Sequence, residues 1–357
     1  MTIDNRIAAF VKLGKFLNQF KKQQQDELLK DLNNAFYNDF EQLIKTVHIK
    51  NPWFTEQNVK NSIDAIASLL NEDGLIEFIA IYINDLKVER ASKTIAVIMA
   101  GNIPMVAFHD WFCVLLSGNK ILGKLSSDDS LLLPFLSKIL IAIAPQFNQQ
   151  IQFTEGQLKT MDAVIATGSN NSARYFDYYF GKHPHIIRKN RNSVAVLDGT
   201  ETFADLKQLG NDIFHYFGLG CRNVSKLFVP RNYKFDMFYE SIIDFQEIIQ
   251  HNKYANNYEY NRTVYLMSNN PTLLDNNFLL LKEDVSYSSP IGVLFYEYYD
   301  DIKTLNKKLD LESDQIQCIV SKNKKIIHAI YLGMAQSPIL NDYSDGVDTM
   351  KFLIDLK

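Results

Sequence analysis

A cysteine beside glycines is the residue of this sequence best suited to nucleophilic chemistry. Cys221 ends the run GLGC, which separates a predicted helix from the predicted strand SKLFVP. Glycine lets the backbone turn tightly and lets a substrate approach the sulfur closely. Cys113 and Cys318 lie in the apolar runs WFCVLL and QIQCIV, which is typical of core residues. A GLGC run alone is also typical of a turn that ends a helix, so the assignment needs further support.

A second candidate is the asparagine of AGNIP, residues 100–104, which follows a buried-looking strand and precedes a helix. The side-chain amide of Asn102 stands at the strand end, where it can donate a hydrogen bond to a developing oxyanion. Acyl transfer to a thiolate requires such a donor. The alternative is that Asn102 caps the following helix, the more common role for an isolated asparagine at such a position.

Two further strand ends carry groups suited to a nucleotide. Gly168 and Ser169 follow the strand AVIAT and precede a helix, whose first backbone N–H groups suit a pyrophosphate. Lys124 ends the strand NKILGK, ahead of the hydroxyls of Ser126 and Ser127, and its ammonium can reach a ribose hydroxyl or a phosphate. The alternative for Lys124 is a solvated charge. The sequence contains no GxGxxG, so the ordinary Rossmann fingerprint is absent.

The hydrophobic pattern predicts the elements that must position these residues. Residues 1–90 repeat apolar side chains at helical spacing, for example at Phe10, Leu13 and Leu17, which predicts an all-helical segment. From Thr94 onward, the strands TIAVIMAG, NKILGKLS, AVIATGS and SVAVLDG alternate with helices. A second alternation contains SKLFVP, RTVYLM, GVLFYEYY and QIQCIV. Apolar strands alternating with helices predict parallel sheets covered on both faces, and nucleotides bind at the carboxyl edge of such sheets.

Composition narrows the class of protein. The 357 residues are 46% hydrophobic, enough for a packed core of two lobes. A net charge of -4 with scattered cations gives no reason to expect a nucleic-acid partner. The start MTIDNRIAAF does not resemble a signal peptide, and no apolar run is long enough to span a membrane. Three cysteines without CxxC spacing indicate neither a zinc site nor a disulfide framework, so we expect a cytoplasmic protein without a bound metal.

Taken in order, these segments resemble the signature segments of the aldehyde dehydrogenase superfamily. AGNIP…SGNKILGKLSS is similar to the segment that holds the oxyanion-hole asparagine and the ribose-binding lysine, which implies those roles for Asn102 and Lys124. ATGS resembles a glycine-serine turn near the cofactor, which would place Gly168 and Ser169 beside the pyrophosphate and nicotinamide. GLGC resembles the GQxC motif, which marks Cys221 as the nucleophile.

Within the superfamily, the chain most resembles the LuxC-type acyl-CoA reductases, from about residue 50 to the closing segment GMAQSPILNDYSDGVDTMKFL. The resemblance implies an α/β fold with a Rossmann-type cofactor lobe and an α/β catalytic lobe. The expected division is a helical segment at 1–90, a nucleotide-binding domain at 91–198, a catalytic domain at 199–331 and a C-terminal segment at 332–357. That last segment is a candidate oligomer contact, and a homo-oligomer is expected.

The sequence departs from oxidising members of the superfamily in two places. Their general-base glutamate would stand at Ile187 or a neighbour, yet no acid occurs from 186 to 197. Without a base to activate water, an acyl-cysteine would survive to accept hydride, which favours a reductase. The second glutamate, which holds the nicotinamide ribose, is replaced in the segment 287–290. Ser126 stands where NAD-preferring members often carry an acid, which favours NADPH with NADH as the alternative.

The expected function is therefore reduction of a long-chain fatty acyl-CoA to the aldehyde with NADPH, through an acyl-cysteine at Cys221. An acyl carrier protein thioester or an acyl phosphate are the alternative donors. The alternative that is not an enzyme is a catalytically silent nucleotide-binding scaffold subunit. His215 lies about two helical turns before the cysteine and is either a general acid or base or a structural histidine.

Overall fold

The computed structural model describes residues 1–88, 90–168, 170–268 and 272–356, and the chain divides into two compact units. The first unit contains Met1–Lys189 and Ile339–Lys357, and the second contains Asn190–Pro338. Both are built from helices and mainly parallel sheets, which confirms the predicted α/β class. In the described part of the chain, no helix has the length and apolar character that crossing a membrane demands.

The first unit opens with helices, as the apolar spacing predicts. They are α1 (Ile3–Lys22), α2 (Lys30–Leu32), α3 (Asn38–Thr46), α4 (Glu56–Leu69), α5 (Glu72–Ala80) and α6 (Ile83–Leu86). The N-cap residue of α1 is Thr2, whose hydroxyl accepts the N–H of Asn5. Phe10, Leu13 and Leu17 of α1 are fully buried, and the helix packs against α4. The helical segment is therefore fastened by its apolar face.

A five-stranded parallel sheet follows, ordered β3-β2-β1-β4-β5. Its strands are β1 (Thr94–Ile98), β2 (Lys120–Lys124), β3 (Ile151–Thr154), β4 (Ala163–Thr167) and β5 (His185–Arg188), connected by α7 (Phe108–Leu116), α8 (Leu132–Ile143) and α9 (Asn170–Phe180). The chain builds outward from β1 to β3 and then reverses to β4 on the other side of β1. Ligands of open α/β sheets bind outside the carboxyl ends of the strands at such a reversal.

The second unit carries a seven-stranded sheet ordered β12-β11-β6-β7-β10-β9-β8, parallel except for the β8–β9 pair. Its strands are β6 (Asn192–Val196), β7 (Val224–Pro230), β8 (Leu274–Asp275), β9 (Leu280–Glu283), β10 (Val293–Tyr299), β11 (Ile316–Ser321) and β12 (Ala329–Ile330). Its helices are α10 (Phe203–Phe214), α11 (Asp236–Ser241), α12 (Asn252–Met267) and α13 (Ile302–Leu311), and α14 (Thr349–Ile354) belongs to the first unit.

Two sequence expectations differ from the structure. The strand predicted for RTVYLM is wrong, because these residues end helix α12, whose buried residues Tyr254, Tyr258 and Asn261 recur at helical spacing. Packing of that face overrides the local preference for a strand. The strand SVAVL was expected to end the cofactor lobe near residue 198, but β6 pairs with β7 and β11 in the second unit. A strand buried on both faces does not reveal which sheet it joins.

The C-terminal segment from Ile339 packs as part of the first unit. Met350 and Leu353 of α14 are buried in the same core cluster as α7. The guanidinium of Arg188, at the end of β5, donates to the carboxylate of Asp110 and, at 2.9 Å, to the hydroxyl of Thr349. This buried ion pair fastens the last helix to the sheet. A role for the segment in oligomer contacts remains a prediction.

Candidate active site

Asn102 stands in the loop that connects β1 to α7. The helix begins at Phe108 and its N-cap residue is Ala107, without a side-chain cap, so the capping alternative for Asn102 is wrong. The Asn102 side chain is exposed. A Cβ at Gly101 would lie 2.6 Å from the hydroxyl oxygen of Ser126, so glycine is required for this close approach. The loop is thus pressed against the end of β2 and presents Asn102 to solvent.

A buried carboxylate holds the far end of this loop. Met105 has a left-handed backbone (φ 55°), and its N–H donates to Asp129 at 2.7 Å. Asp129 is 7% exposed, and burial raises the pKa of its carboxyl to about 6. No local pattern in the sequence identifies Asp129, because the contact joins positions 24 apart in the chain. Asp129 therefore positions the loop that carries Asn102.

We expect stability to depend on pH through Asp129. The folded-state pKa of about 6 exceeds the ordinary 3.8, so the contribution of this group is full below pH 4 and is lost as pH rises through about 6. The loss amounts to about 3 kcal/mol at most, at 1.36 kcal/mol per pKa unit. Asp129→Asn keeps an acceptor for Met105, so its free energy of unfolding should fall less between pH 4 and 7. Urea titrations across that range measure the difference.

The matched control for this pH dependence is Asp128→Asn, since Asp128 is the exposed neighbour. It should retain the slope of the unmodified protein. A slope in Asp129→Asn equal to that of Asp128→Asn would contradict the assignment.

The cofactor candidates lie at one edge of the first sheet. Lys124 ends β2, pairs with Ile98 of β1 and accepts the N–H of Met99 at its backbone oxygen. Gly168 follows β4, and its N–H donates to the backbone oxygen of Arg188 at 3.3 Å. The helix α9 then begins two residues later. An ammonium group and a helix N-terminus at the same carboxyl edge suit the phosphates and ribose of a nucleotide. Ser169 lies outside the described residues.

Cys221 stands in a turn at the amino end of β7, in the second unit. The preceding helix α10 starts with a capping box between Thr202 and Asp205 and ends at Phe214. Tyr216, Phe217 and Gly218 then have left-handed backbones, with φ of 49°, 59° and 77°. Such a conformation costs on the order of 1–2 kcal/mol for each non-glycine residue, so the turn must be held by its surroundings.

The side chain of Asn223 ties this turn together. It is 3% exposed, and its oxygen accepts the N–H of Gly220 at 2.8 Å. Its amide donates to the backbone oxygens of His215 at 2.9 Å and Asp212 at 3.1 Å. These bonds join the end of α10 to the residue before the nucleophile. Sequence reasoning missed Asn223, because an asparagine in a turn does not reveal its distant partners.

The backbone of Cys221 is held from a neighbouring strand. Ser193 of β6 is fully buried, and its hydroxyl donates to the Cys221 carbonyl at 3.0 Å. The same hydroxyl lies 3.0 Å from the sulfur of Cys318 on β11. Cys221 and Cys318 are both half-buried and not part of a disulfide, whereas Cys113 is fully buried. The core prediction is confirmed for Cys113, and Cys318 is half-buried but packs against the core of the second unit.

The carboxylate of Asp212 fastens a second segment beside this turn. Asp212 is fully buried on α10, and burial raises the pKa of its carboxyl to about 6. It accepts the N–H groups of Gly333 at 2.6 Å and Ala335 at 2.9 Å. Arg222 donates to the backbone oxygen of Ala335. The residue after the nucleophile is therefore tied to the segment 333–335, which Asp212 holds in place.

His215 occupies the C-cap position of α10 and is half-buried. Burial lowers the pKa of its imidazole, so the neutral form predominates near pH 7. Its backbone oxygen accepts the Asn223 amide, a structural role. Its part in proton transfer remains a prediction.

Comparison with known proteins bears on all these positions. The family model described as Acyl-CoA reductase (LuxC) matches residues 86–240, a stretch that includes Asn102, Lys124, Ser126, Gly168 and Cys221. The match covers 155 of the 357 residues and supports the resemblance to LuxC-type acyl-CoA reductases. A comparison with curated protein sequences found no match. The family match supports an NAD(P)-dependent oxidoreductase that acts on aldehyde or acyl groups.

Solved structures show the same fold at low identity. Aldehyde dehydrogenase 21 from Physcomitrella patens, in complex with its product succinate, is 14% identical with a TM-score of 0.66, over 99% of this chain and 84% of that one. A Mycobacterium tuberculosis aldehyde dehydrogenase complexed with NAD+ is 15% identical with a TM-score of 0.58, over 91% and 74%. The glyceraldehyde-3-phosphate dehydrogenase GapN from Methanocaldococcus jannaschii, complexed with NADP, is 13% identical with a TM-score of 0.58, over 91% and 77%.

An arginine stands where β5 ends. Ile187 is half-buried, and Arg188 is buried in its ion pair with Asp110. β5 itself, His185–Arg188, contains no carboxylate. In the other departing segment, the Tyr287 hydroxyl donates to Glu312 and is occupied within the second unit. Neither segment, 186–197 or 287–290, contains an acid.

Proposed function

We propose that this protein reduces a long-chain fatty acyl-CoA to the aldehyde with NADPH, through an acyl intermediate on Cys221. The observation that carries the proposal is a half-buried thiol held in a braced turn, inside the stretch that matches the LuxC acyl-CoA reductase family. The family match and the fold support reductase chemistry that forms or handles aldehydes. The acyl-CoA donor, the chain length and the preference for NADPH belong to the proposal.

The Cys221 thiolate attacks the thioester carbonyl, forming a carbon–sulfur bond and a tetrahedral oxyanion. The Asn102 amide and the Cys221 backbone N–H donate to that oxyanion, as the superfamily resemblance implies. Its collapse expels the CoA thiolate and leaves an acyl-cysteine. Lys124, Ser126, Gly168 and Ser169 would hold a nicotinamide cofactor, which would supply the hydride that reduces the acyl-cysteine, as the superfamily resemblance implies. Reduction of the acyl-cysteine carbonyl gives a thiohemiacetal alkoxide on Cys221, which collapses to the aldehyde and the Cys221 thiolate.

Survival of the acyl-cysteine depends on whether a general base lies close enough to activate water. The sequence from 186 to 197 contains no acid, and Arg188 at the end of β5 is paired with Asp110. Hydrolysis of a thioester by water needs a general base within hydrogen-bond reach. Without one, hydride transfer competes successfully with hydrolysis. This supports a reductase rather than an oxidising aldehyde dehydrogenase.

The direct experiment is a series of acyl-CoA donors of increasing length, each tested with NADPH and with NADH. Aldehyde should form in equal amounts to the NADPH oxidised, most efficiently with long chains. Acyl carrier protein thioesters and acyl phosphates are run in parallel, and aldehyde from those donors alone would overturn the acyl-CoA assignment. No aldehyde from any donor would favour a silent nucleotide-binding scaffold.

Cofactor preference is tested by Ser126→Asp. Ser126 is half-buried at the end of β2, and its hydroxyl accepts the N–H of Asp128 at 3.2 Å, which an aspartate can also accept. A carboxylate near the 2′-phosphate repels it, so KM for NADPH should rise about 10-fold or more while KM for NADH changes little. Steady-state kinetics with both cofactors measures the ratio.

Ser127→Asp provides the matched control, since Ser127 is exposed and adjacent. It adds the same charge one residue away and should leave the NADPH to NADH ratio nearly unchanged. Equal ratios in the two variants would show that Ser126 does not face the ribose.

A further inference from the structure

A cleft of about 190 Å³ opens beside the amino end of β11 in the second unit. Its apolar wall is formed by Leu309 of α13 together with Ile316, Ile319 and Ile327, and Cys318 also lines it. Ile327, on the rim, is 56% exposed, although isoleucine is ordinarily buried. The other lining residues are polar: Asn306, Asp310, Ser313, Gln317 and His328. Nothing in the reaction chemistry above uses the cleft.

One buried side chain, Ser193, lies between the cleft wall and the backbone of the nucleophile. The Ser193 hydroxyl contacts the Cys318 sulfur and the Cys221 carbonyl, each at 3.0 Å. The Cys318 sulfur in the cleft wall is therefore no farther from the Cys221 carbonyl oxygen than the sum of these two 3.0 Å contacts. In the sheet order, β11, β6 and β7 are neighbours, so the amino ends that carry Cys318, Ser193 and Cys221 are adjacent. Two strand spacings of about 4.8 Å separate β11 from β7.

We propose that this cleft receives the distal part of the fatty acyl chain while its carbonyl carbon is bonded to Cys221. The inference rests on the proposed function and adds the place where chain length is sensed. An acetyl group on Cys221 is too short to cross two strand spacings, whereas a long chain reaches the cleft. Burying each methylene there stabilises the complex by about 0.8 kcal/mol, so the cleft selects long chains.

A kinetic test uses the variant Ile327→Asp, which places a carboxylate on the cleft rim. For a 16-carbon acyl-CoA, kcat/KM should fall about 10-fold or more, because a charge displaces several methylenes from apolar contact. For a 4-carbon acyl-CoA it should stay within twofold. Leu311→Asp is the matched control, because Leu311 is 83% exposed near the end of α13 and does not line the cleft. A loss that is equal at all chain lengths, or no loss at 16 carbons, would overturn the proposal.

Cys318 provides a test that needs no turnover. In Cys221→Ala protein, alkylation of Cys318 by N-ethylmaleimide is followed by peptide mass mapping, since the remaining Cys113 is fully buried. Palmitoyl-CoA should slow alkylation of Cys318 several-fold, and acetyl-CoA should not. An unchanged rate with palmitoyl-CoA would overturn the cleft assignment. Protection of Cys318 in a protein that reduces no acyl donor would support the cleft and refute the proposed reduction instead.

Discussion

Cys221→Ala should abolish acyl-CoA-dependent NADPH oxidation, with kcat falling by about 10³-fold or more. Alanine removes the sulfur that bonds to the acyl carbon, and no other described thiol stands in the same turn. Because Cys221 is only half-buried and its backbone is held by Ser193, the fold should persist. Aldehyde formation is measured by gas chromatography alongside NADPH absorbance. Unchanged circular dichroism verifies folding.

Cys113→Ala is the control for removal of a thiol. Cys113 is fully buried on α7, and burial raises the pKa of its thiol well above the ordinary value, so it does not form a thiolate near neutral pH. Its replacement should leave turnover essentially intact. Turnover that survives in Cys221→Ala, or is lost equally in Cys113→Ala, would refute the role of Cys221.

Asn102→Ala should lower kcat by about 10²–10³-fold, the usual cost of removing one oxyanion donor. The amide acts only as negative charge develops on the carbonyl oxygen, so KM for acyl-CoA should change little. The side chain is exposed and is not the cap of α7, so the loss of a helix cap does not confound the result. Steady-state kinetics with one acyl-CoA separates kcat from KM.

Asn148→Ala serves as the matched control for loss of an asparagine amide. Asn148 is exposed in the same unit, within the short helix Pro145–Gln149. Its replacement should leave both kinetic constants unchanged. A kcat for Asn102→Ala within twofold of the Asn148→Ala value would exclude an oxyanion role for Asn102.

Local patterns in the sequence were sufficient for the strand ends that carry candidate residues. The runs TIAVI, KILGK and AVIAT became β1, β2 and β4, and their common carboxyl edge follows from parallel pairing. Glycines beside Cys221 correctly predicted a tight turn. These features depend on neighbours within a few residues, which a single sequence displays.

Features set by distant contacts were not predictable. The left-handed Tyr216 and Phe217 depend on bonds from Asn223, and the loop of Asn102 depends on Asp129. The ion pair between Arg188 and Asp110 joins residues 78 apart in the chain. Each of these contacts is created by the sheet packing itself. No local pattern of charge or hydrophobicity distinguishes them from ordinary surface residues.

Mass mapping of the protein after incubation with palmitoyl-CoA in the absence of NADPH tests the acyl-cysteine intermediate most directly. One palmitoyl group should appear on the peptide that contains Cys221, stable over minutes and released as hexadecanal when NADPH is added, if Cys221 carries this intermediate. An unmodified Cys221, an acyl group on another residue, or rapid loss of the group as palmitic acid would contradict it.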